Sequence, residues 1–270
     1  DQADIQYTEA VDTLVALGVI DGMGNNTFAP DGTLTRAQAA KMVAYVKAGA
    51  NETTIGYYDG TTKFTDVGTN HAWASGSINY CVANGIIAGM TATTYQPDAT
   101  LTGAQLSKML LVALGFKSEI EGFTGANWAV NVNVRANQKG LFDELSINPS
   151  EGLTRDNAAQ MVWNALDAGV VSYDYTLITD GSSITSSPTL IDNESKTLLT
   201  DKFKVAKLEG VIVANENATS TGTAVEKEDV TVLLLTSDDA DSKQDEGDTI
   251  TLKTATAANL LGKSVTMFAK

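Results

Sequence analysis

Apolar residues recur at helical spacing in several stretches of the first 170 residues. In the first stretch, Val11, Leu14 and Val15 form an apolar stripe along one helix face. The stripe stops at Gly18, a residue suited to the left-handed end of a helix. Three later helical patterns carry methionine at the same place: Met42, Met109 and Met161. A methionine that recurs in this way is typical of a core position, so the pattern predicts helices packed against one another.

A threonine precedes each of those three later patterns: Thr35, Thr102 and Thr154. A threonine hydroxyl at this position accepts a hydrogen bond from the free amides of the first helical turn. Gln38 and Gln105 follow three residues after the first two threonines and complete a capping box. The sequence therefore predicts where each of these helices begins.

The patterns repeat three times in the same order, as helix, loop and second helix. The repeats cover about 1–48, 64–115 and 123–170. Their spacing is uneven because the segment from Lys47 to Lys63 is inserted between the first two. Its Gly, Thr and Tyr content predicts a surface loop. Residues 1–172 are therefore predicted to form one domain of three repeats.

Beyond Val171 the period changes from helical to alternating, with β-branched residues separated by polar turns. This change predicts a small β-rich domain over 173–270, which we expect to be truncated at its C-terminal end. The expected fold class is α+β multidomain. The strand-like runs are 173–179, 207–214, 229–236, 248–253 and 264–268.

Composition narrows the function of the 270-residue chain. It has 33 acidic and 18 basic side chains, a net charge of −15 and three arginines, which argues against nucleic acid as a partner. One cysteine and one histidine supply neither an internal disulfide nor a zinc site. The chain has no apolar run of the roughly 20 residues that cross a bilayer, so no membrane insertion is expected. Its polar start is not an export signal, and we expect both ends to be cuts in a longer precursor.

The repeats carry a set of short motifs at matching places. The second repeat contains Phe64-Thr-Asp-Val67, Trp73-Ala74, Gly85-Ile-Ile-Ala-Gly89 and Tyr95-Gln-Pro97, and the first contains Leu34-Thr-Arg-Ala-Gln38. Over roughly residues 5–170 this pattern resembles the S-layer homology (SLH) repeat. Bacterial surface proteins use that repeat three at a time to attach to the cell wall.

The resemblance implies a pseudo-threefold helical bundle with the second helix of each repeat near the centre. Loops at its edges would form grooves that bind secondary cell-wall polysaccharide, commonly as a sugar with a pyruvyl ketal. It also implies an extracellular location at the bacterial wall or S-layer, and self-association in a lattice. Matching the family motif residue by residue gives the expected ligand-binding set: Thr35, Arg36, Ala37, Gly18, Asp21, Gly22, Thr102, Thr154 and Arg155.

The arginines give this expectation a physical basis. A guanidinium forks onto a carboxylate, and the first turn of a helix adds the positive end of the dipole. In the second repeat Gly103 replaces the arginine, so we expect that repeat's groove to be weakened. The third repeat departs differently, with Asp156-Asn157 after Arg155.

Other candidates have simpler interpretations. Trp73 and Trp128 are of a type that stacks on sugars, but we predict both as core, with edges that could line a groove. The acidic run Asp238–Asp248 has oxygens for calcium but not the EF-hand order of residues, so a solvated hairpin loop is preferred and calcium is the alternative. No spacing identifies a catalytic pair, so we expect no catalytic residues and no resident cofactor.

The leading hypothesis is a non-catalytic anchor that attaches an S-layer or surface protein to wall polysaccharide. Two alternatives stay open. The chain could be the anchoring part of a wall-attached polysaccharide-degrading enzyme whose catalytic domain lies outside it, or a repeat module that serves only S-layer assembly.

Overall fold

A computed structural model describes residues 1–25, 27–180, 183–220, 225–237, 246–254 and 260–269. The chain is of the mixed α+β type and divides into two compact units, Asp1–Leu198 and Leu199–Lys270. The helices are α1 (Thr8–Ala16), α2 (Arg36–Ala48), α3 (Glu52–Gly56), α4 (Ser75–Ala83), α5 (Gly103–Leu114), α6 (Trp128–Gln138), α7 (Arg155–Asp167) and α8 (Leu198–Phe203). Within the described part of the chain, these helices are too short or too polar to cross a bilayer.

The predicted helix starts are confirmed. The side chains of Thr35 and Thr102 accept hydrogen bonds from the amides of Gln38 and Gln105, at 3.3 and 3.4 Å. The amides of the two threonines in turn donate to the side-chain oxygens of these glutamines, at 3.0 Å in both, which completes the two capping boxes. Thr154 caps α7 by accepting from the Asn157 amide at 3.2 Å.

A closed ring of backbone hydrogen bonds joins the three repeats just before α2, α5 and α7. The amide of Leu34 donates to the carbonyl of Leu153, Leu153 donates to Leu101, and Leu101 donates to Leu34, each at 2.9 Å. All three leucine side chains are buried. The ring therefore ties the three helix starts to one another.

The first amides of these helices extend the same cyclic order. Arg36 donates to the carbonyl of Ala99 in the second repeat. Gly103 donates to Glu151 in the third repeat, and the Arg155 amide donates to Gly32 in the first. Each helix start consequently rests on the loop of another repeat.

The core lies around α2, α5 and α7, where the three aligned methionines are buried as predicted. The inserted segment differs from its predicted form as a loop. It contains the short helix α3, which is capped by Asn51. Ile55 on α3 is 5% exposed. The Tyr58 ring also packs edge-on against Tyr80, with 5.2 Å between ring centres, so Ile55 and Tyr58 both hold the insertion against the bundle.

The first unit continues beyond the boundary predicted near residue 172, because a two-stranded antiparallel ribbon packs against the segment that follows α5 and against the third repeat. The ribbon consists of β1 (Gly169–Asp180) and β2 (Ser183–Thr197). The Tyr173 hydroxyl donates to Glu121 at 2.7 Å, and Lys139 pairs with Asp192 at 2.5 Å. Burial and Glu121 raise the pKa of Tyr173 to about 12, so this donor keeps its proton.

The second unit contains a five-stranded antiparallel sheet in the order β4-β3-β5-β6, with β7 pairing with β3. Leu208, Ile212 and Leu234 belong to its buried core. The five predicted strands are confirmed, and β2 and β4 were not predicted. The strands of this sheet are β3 (Ala206–Asn215), β4 (Ala218–Thr219), β5 (Asp229–Ser237), β6 (Thr249–Lys253) and β7 (Ser264–Ala269).

The acidic run lies mostly outside the described residues, which omit 238–245. In the described ranges, no cluster of three or more His, Cys, Asp or Glu side chains has an arrangement that could hold a metal ion. The calcium alternative for Asp238–Asp248 therefore stays a prediction.

Candidate ligand-binding grooves

Arg36 reaches from the start of α2 into the second repeat. Its Nε donates to the carbonyl of Tyr95 at 2.8 Å, and a terminal nitrogen donates to Ala88 at 3.4 Å. The guanidinium carbon lies 4.5 Å from the centre of the Tyr95 ring, and the Tyr95 hydroxyl donates back to the Arg36 carbonyl at 2.9 Å. These contacts hold the guanidinium over the ring, at the edge of the second-repeat loop.

A cavity of about 600 Å³ opens beside this arginine. We call it the Arg36 groove, and its lining includes Arg36, Gly89, Gln105, Lys108, Phe123 and Trp128. These residues come from all three repeats.

Arg155 makes the equivalent contacts at the first-repeat loop. Its Nε donates to the carbonyl of Phe28 at 2.8 Å and a terminal nitrogen donates to the Asp21 carbonyl at 3.1 Å. Its guanidinium carbon lies 4.8 Å from the Phe28 ring centre. Arg155 is only 8% exposed, and this burial lowers its pKa.

A cavity of about 290 Å³ adjoins Arg155. We call it the Arg155 groove, and its lining includes Asp21, Gly22, Gln38, Lys41, Trp73 and Arg155. It has the same kinds of residue as the Arg36 groove, an arginine, a glycine, a glutamine, a lysine and a tryptophan, and adds the carboxylate of Asp21.

Sequence reasoning missed the two lysines. Lys41 and Lys108 occupy the same place in α2 and α5, directly before the aligned methionines, where the third repeat has Gln160. Lys41 pairs with Asp21 at 2.7 Å. Lys108 donates to the carbonyl of Phe123 at 2.7 Å. The sequence did contain a signal for them, because a Lys-Met pair recurs at the same place in α2 and α5 and its methionine is a core residue.

The two tryptophans also line the grooves. Trp73 is 54% exposed in the Arg155 groove, so its prediction as core is wrong. Trp128 is half-buried in the Arg36 groove, with Lys108 Nζ 5.8 Å from its ring centre. Flat aromatic faces beside a cation suit the apolar face of a sugar ring.

Gly103 faces the third-repeat loop rather than the second-repeat groove. A Cβ at Gly103 would lie 2.9 Å from the Cα of Pro149 and 3.5 Å from Cδ1 of Ile147. The absence of an arginine at position 103 therefore affects the third-repeat loop. The second-repeat groove, which we expected to be weakened, contains Arg36. We had assigned each arginine to the groove of its own repeat. In the structure, Arg36 of the first repeat lies at the second-repeat loop, and Arg155 of the third repeat lies at the first-repeat loop.

The other expected ligand residues are structural neighbours of the grooves. The hydroxyls of Thr35, Thr102 and Thr154 accept the capping bonds. Ala37 is 1% exposed, and Gly18, with φ +71°, ends α1. The members of the set that meet at a groove are Arg36 in one, and Asp21, Gly22 and Arg155 in the other.

A carboxylate clamps the loop beneath each arginine. Asp66 accepts from the amides of Tyr95 and Gln96 at 2.8 and 2.7 Å. Asp1 accepts in the same way from Phe28 and Ala29, at 3.0 and 2.6 Å. Gln96 and Ala29, the second residue of each clamped pair, both have positive φ, of 60° and 56°. The carboxylates thus stabilise two strained turns that hold the carbonyls that bind arginine.

The Asp66 clamp gives a pH-dependent prediction. Partial burial raises the pKa of the Asp66 carboxyl, but backbone hydrogen bonds, chiefly from Tyr95 and Gln96, outweigh that effect and bring the pKa below its ordinary value. The clamp therefore stabilises the fold fully above the pKa of the unfolded carboxyl, and this contribution is lost as the pH falls through the lower folded pKa. We expect Asp66→Ala to lower the midpoint of thermal unfolding at pH 7. In strong acid the midpoints of the variant and the parent should converge.

The control for this measurement is Asp12→Ala, on the exposed side of α1. Thermal unfolding followed by circular dichroism from pH 7 to pH 2 compares both variants with the parent. A midpoint difference for Asp66→Ala that stays constant over this range would contradict the clamp.

Parts of the chain match a known protein family, and the chain is similar to several known proteins. The family model of the S-layer homology domain matches residues 1–40 and 63–107, which cover the first repeat up to α2 and the second repeat up to α5. These two segments of the chain thus carry S-layer homology sequence, and the chain is similar to proteins described as cell surface and surface-layer proteins.

One relative is a cell surface protein of Thermoanaerobacter kivui, 29% identical over 192 residues, which are 68% of this chain and 22% of that protein. A surface-layer 125 kDa protein of Lysinibacillus sphaericus is 31% identical over 56% of this chain and 13% of its own length. A cellulosome-anchoring protein of Acetivibrio thermocellus is 25% identical over 56% of this chain and 36% of its own length. The chain spans a minor part of each of these curated relatives.

Proposed function

We propose that this protein is a non-catalytic anchor whose grooves bind secondary cell-wall polysaccharide and so attach a surface or S-layer protein to the bacterial wall. One observation carries the proposal. The Arg36 and Arg155 grooves repeat the same combination of arginine on an aromatic ring, glycine, lysine and tryptophan. The matched SLH segments support it, as does the similarity to a cellulosome-anchoring protein.

The groove chemistry suits an acidic sugar such as a pyruvyl ketal. Glycine lets the backbone approach the sugar closely, tryptophan covers an apolar ring face, and a cation binds a carboxylate. The protein has a net charge of −15, so its overall field repels an anionic polymer. Binding would therefore depend on a few precisely placed donors.

The repeats would act together as a pseudo-threefold helical bundle, an arrangement that the closed ring at Leu34, Leu101 and Leu153 supports. Two grooves on one rigid unit would bind successive parts of one polymer. The second contact then forms at a high effective concentration, so modest affinity at each groove gives firm attachment.

The test is co-sedimentation of the protein with purified cell-wall sacculi, before and after chemical removal of the polysaccharide. We expect Arg36→Ala to weaken binding by about tenfold or more, the loss that corresponds to one charged hydrogen-bonded contact. Arg135→Ala is the control because it removes an arginine of α6 that lines neither groove and pairs with Glu121 at 2.6 Å.

Thermal unfolding of both variants shows that each is folded at the assay temperature. Equal binding to intact and stripped sacculi would contradict the anchor proposal. Equal losses for Arg36→Ala and Arg135→Ala would contradict the assignment of the groove.

A second candidate is the anchoring part of a wall-attached enzyme. Endo-1,4-beta-xylanase A of Thermoanaerobacterium saccharolyticum is 28% identical over 104 residues, which are 36% of this chain and 9% of that enzyme. The sequence of the encoding gene tests this candidate, because a glycoside hydrolase domain encoded beside these residues would favour it. A module that serves only S-layer assembly would instead self-associate without binding sacculi, which light scattering and the same sedimentation assay detect.

A further inference from the structure

The two grooves share a residue pattern but differ in charge. Both contain one arginine and one lysine from matching positions. Only the Arg155 groove has an acidic residue in its lining, Asp21. The difference follows from one position, because Ala88 occupies the place in the second-repeat loop that Asp21 occupies in the first. The backbone carbonyl of each accepts a hydrogen bond from the arginine of its groove.

In the Arg36 groove both cations bind backbone carbonyls. Arg36 donates to Tyr95 and Ala88, and Lys108 donates to Phe123. Among the described residues, no carboxylate lies within ion-pair distance of either cation. Burial lowers the pKa of Lys108, and Glu119 opposes this shift more weakly. A partly desolvated cation with no described carboxylate at ion-pair distance favours an anionic ligand.

In the Arg155 groove the cations are already engaged. Lys41 pairs with Asp21 at 2.7 Å. Arg155 is 8% exposed and holds two backbone carbonyls. A ligand carboxylate that enters this groove would have to displace Asp21 from Lys41, or approach Lys41 against the repulsion of the Asp21 carboxylate.

We propose that the two grooves divide the ligand: the Arg36 groove selects a carboxylate-bearing sugar residue, with Lys108 as the specificity-determining side chain, and the Arg155 groove takes an uncharged sugar residue. This inference rests on the proposed function. The expected partner is a glycan that contains both acidic and neutral sugar residues, close enough together for one protein molecule to bind both.

The three tryptophans allow each groove to be measured separately. Trp128 lies in the Arg36 groove, Trp73 in the Arg155 groove, and Trp163 lines neither. The indole N–H signals in a ¹⁵N–¹H spectrum of the whole chain therefore report each groove and a reference. Two probes differ only in charge: a methyl hexoside with a 4,6-O-(1-carboxyethylidene) ketal, and the 4,6-O-ethylidene counterpart without the carboxylate.

We expect the acidic probe to shift the Trp128 signal with at least about tenfold higher affinity than it shows at Trp73. Lys108→Met should remove most of that preference and weaken the acidic probe more than the uncharged probe. Lys63→Met is the matched control, because it removes an exposed lysine that lines neither groove.

Asp21→Asn provides a gain of function. It removes the negative charge that pairs with Lys41 and leaves the backbone carbonyl that binds Arg155. The affinity of the acidic probe measured at Trp73 should therefore rise about tenfold. The Asp21 side chain is 73% exposed, so the substitution should leave the fold unchanged.

Equal affinities of the acidic probe at Trp73 and Trp128 in the parent protein would overturn the inference. So would an unchanged Trp128 affinity in Lys108→Met, or no response of Trp73 in Asp21→Asn. Polysaccharide-dependent binding to sacculi together with any of these results would leave the anchor proposal standing and reject only the division of the ligand. Binding to sacculi that persists without polysaccharide would reject the anchor proposal itself.

Discussion

Replacement of Leu34 by alanine is expected to lower the free energy of unfolding of the repeat unit by about 2–5 kcal/mol. Leu34 is fully buried, and its backbone bonds to both Leu101 and Leu153 in the closed ring. Truncation leaves a cavity at the point where all three repeats meet. The flanking backbone is held by the ring and cannot collapse to fill that cavity, so the cost should lie toward the upper end of the range.

Denaturant unfolding followed by tryptophan fluorescence measures this loss in the first unit alone, because Trp73, Trp128 and Trp163 all lie within it. The control is Leu177→Ala, which truncates a side chain on β1 that is 71% exposed and should change stability by less than about 0.5 kcal/mol. The ring also predicts a single transition for the whole unit. Separate transitions, or a loss in Leu34→Ala no larger than the control, would contradict this role of the ring.

The helix starts were predictable because their information is local. A threonine cap and a glutamine three residues later define the start of α2 and of α5 without reference to the rest of the chain. The five predicted strands are of the same kind, since alternation of β-branched and polar residues is visible in a short window. The strand β2 was missed because Ser183–Thr197 is rich in serine and threonine and borders residues typical of a turn.

The domain boundary was not predictable from local pattern. The sequence changes its period near residue 172, and the prediction placed the boundary there. The β1–β2 ribbon nevertheless belongs to the first unit, through Tyr173 with Glu121 and Lys139 with Asp192. Contacts between residues this far apart leave no signature in the composition of either segment.

The sequence predicted which residue types form the site, but not which repeat's loop each of them contacts. Repeat alignment selected Arg36 and Arg155, and both lie at grooves. The alignment did not show that Arg36 serves the second-repeat loop and Arg155 the first, because that depends on the cyclic order in which the repeats close. The role of Asp1 as the counterpart of Asp66 was hidden because Asp1 stands in no copy of the Phe64-Thr-Asp-Val67 motif that contains Asp66.

Glycine at position 89 is required by the space around it. A Cβ there would lie 2.3 Å from the carbonyl oxygen of Thr91, 2.4 Å from the Phe64 ring and 2.6 Å from the carbonyl oxygen of Thr94. Phe64 is 2% exposed and cannot move outward without opening the core. Gly22 has the same place in the first-repeat loop, where a Cβ would lie 2.8 Å from the carbonyl oxygen of Thr27.

Gly89→Ala should therefore displace the loop that lines the Arg36 groove and reduce polysaccharide-dependent binding to sacculi by about tenfold or more, together with an overpacking cost of about 1–3 kcal/mol. Gly68→Ala is the matched control in the same repeat, because no atom lies within 4 Å of its added Cβ and its φ is −88°. Sedimentation at a temperature where circular dichroism shows both variants folded separates binding from stability. Parent-like binding by Gly89→Ala would place the polysaccharide site elsewhere, whereas a parallel loss in Gly22→Ala would show that both grooves bind the polymer.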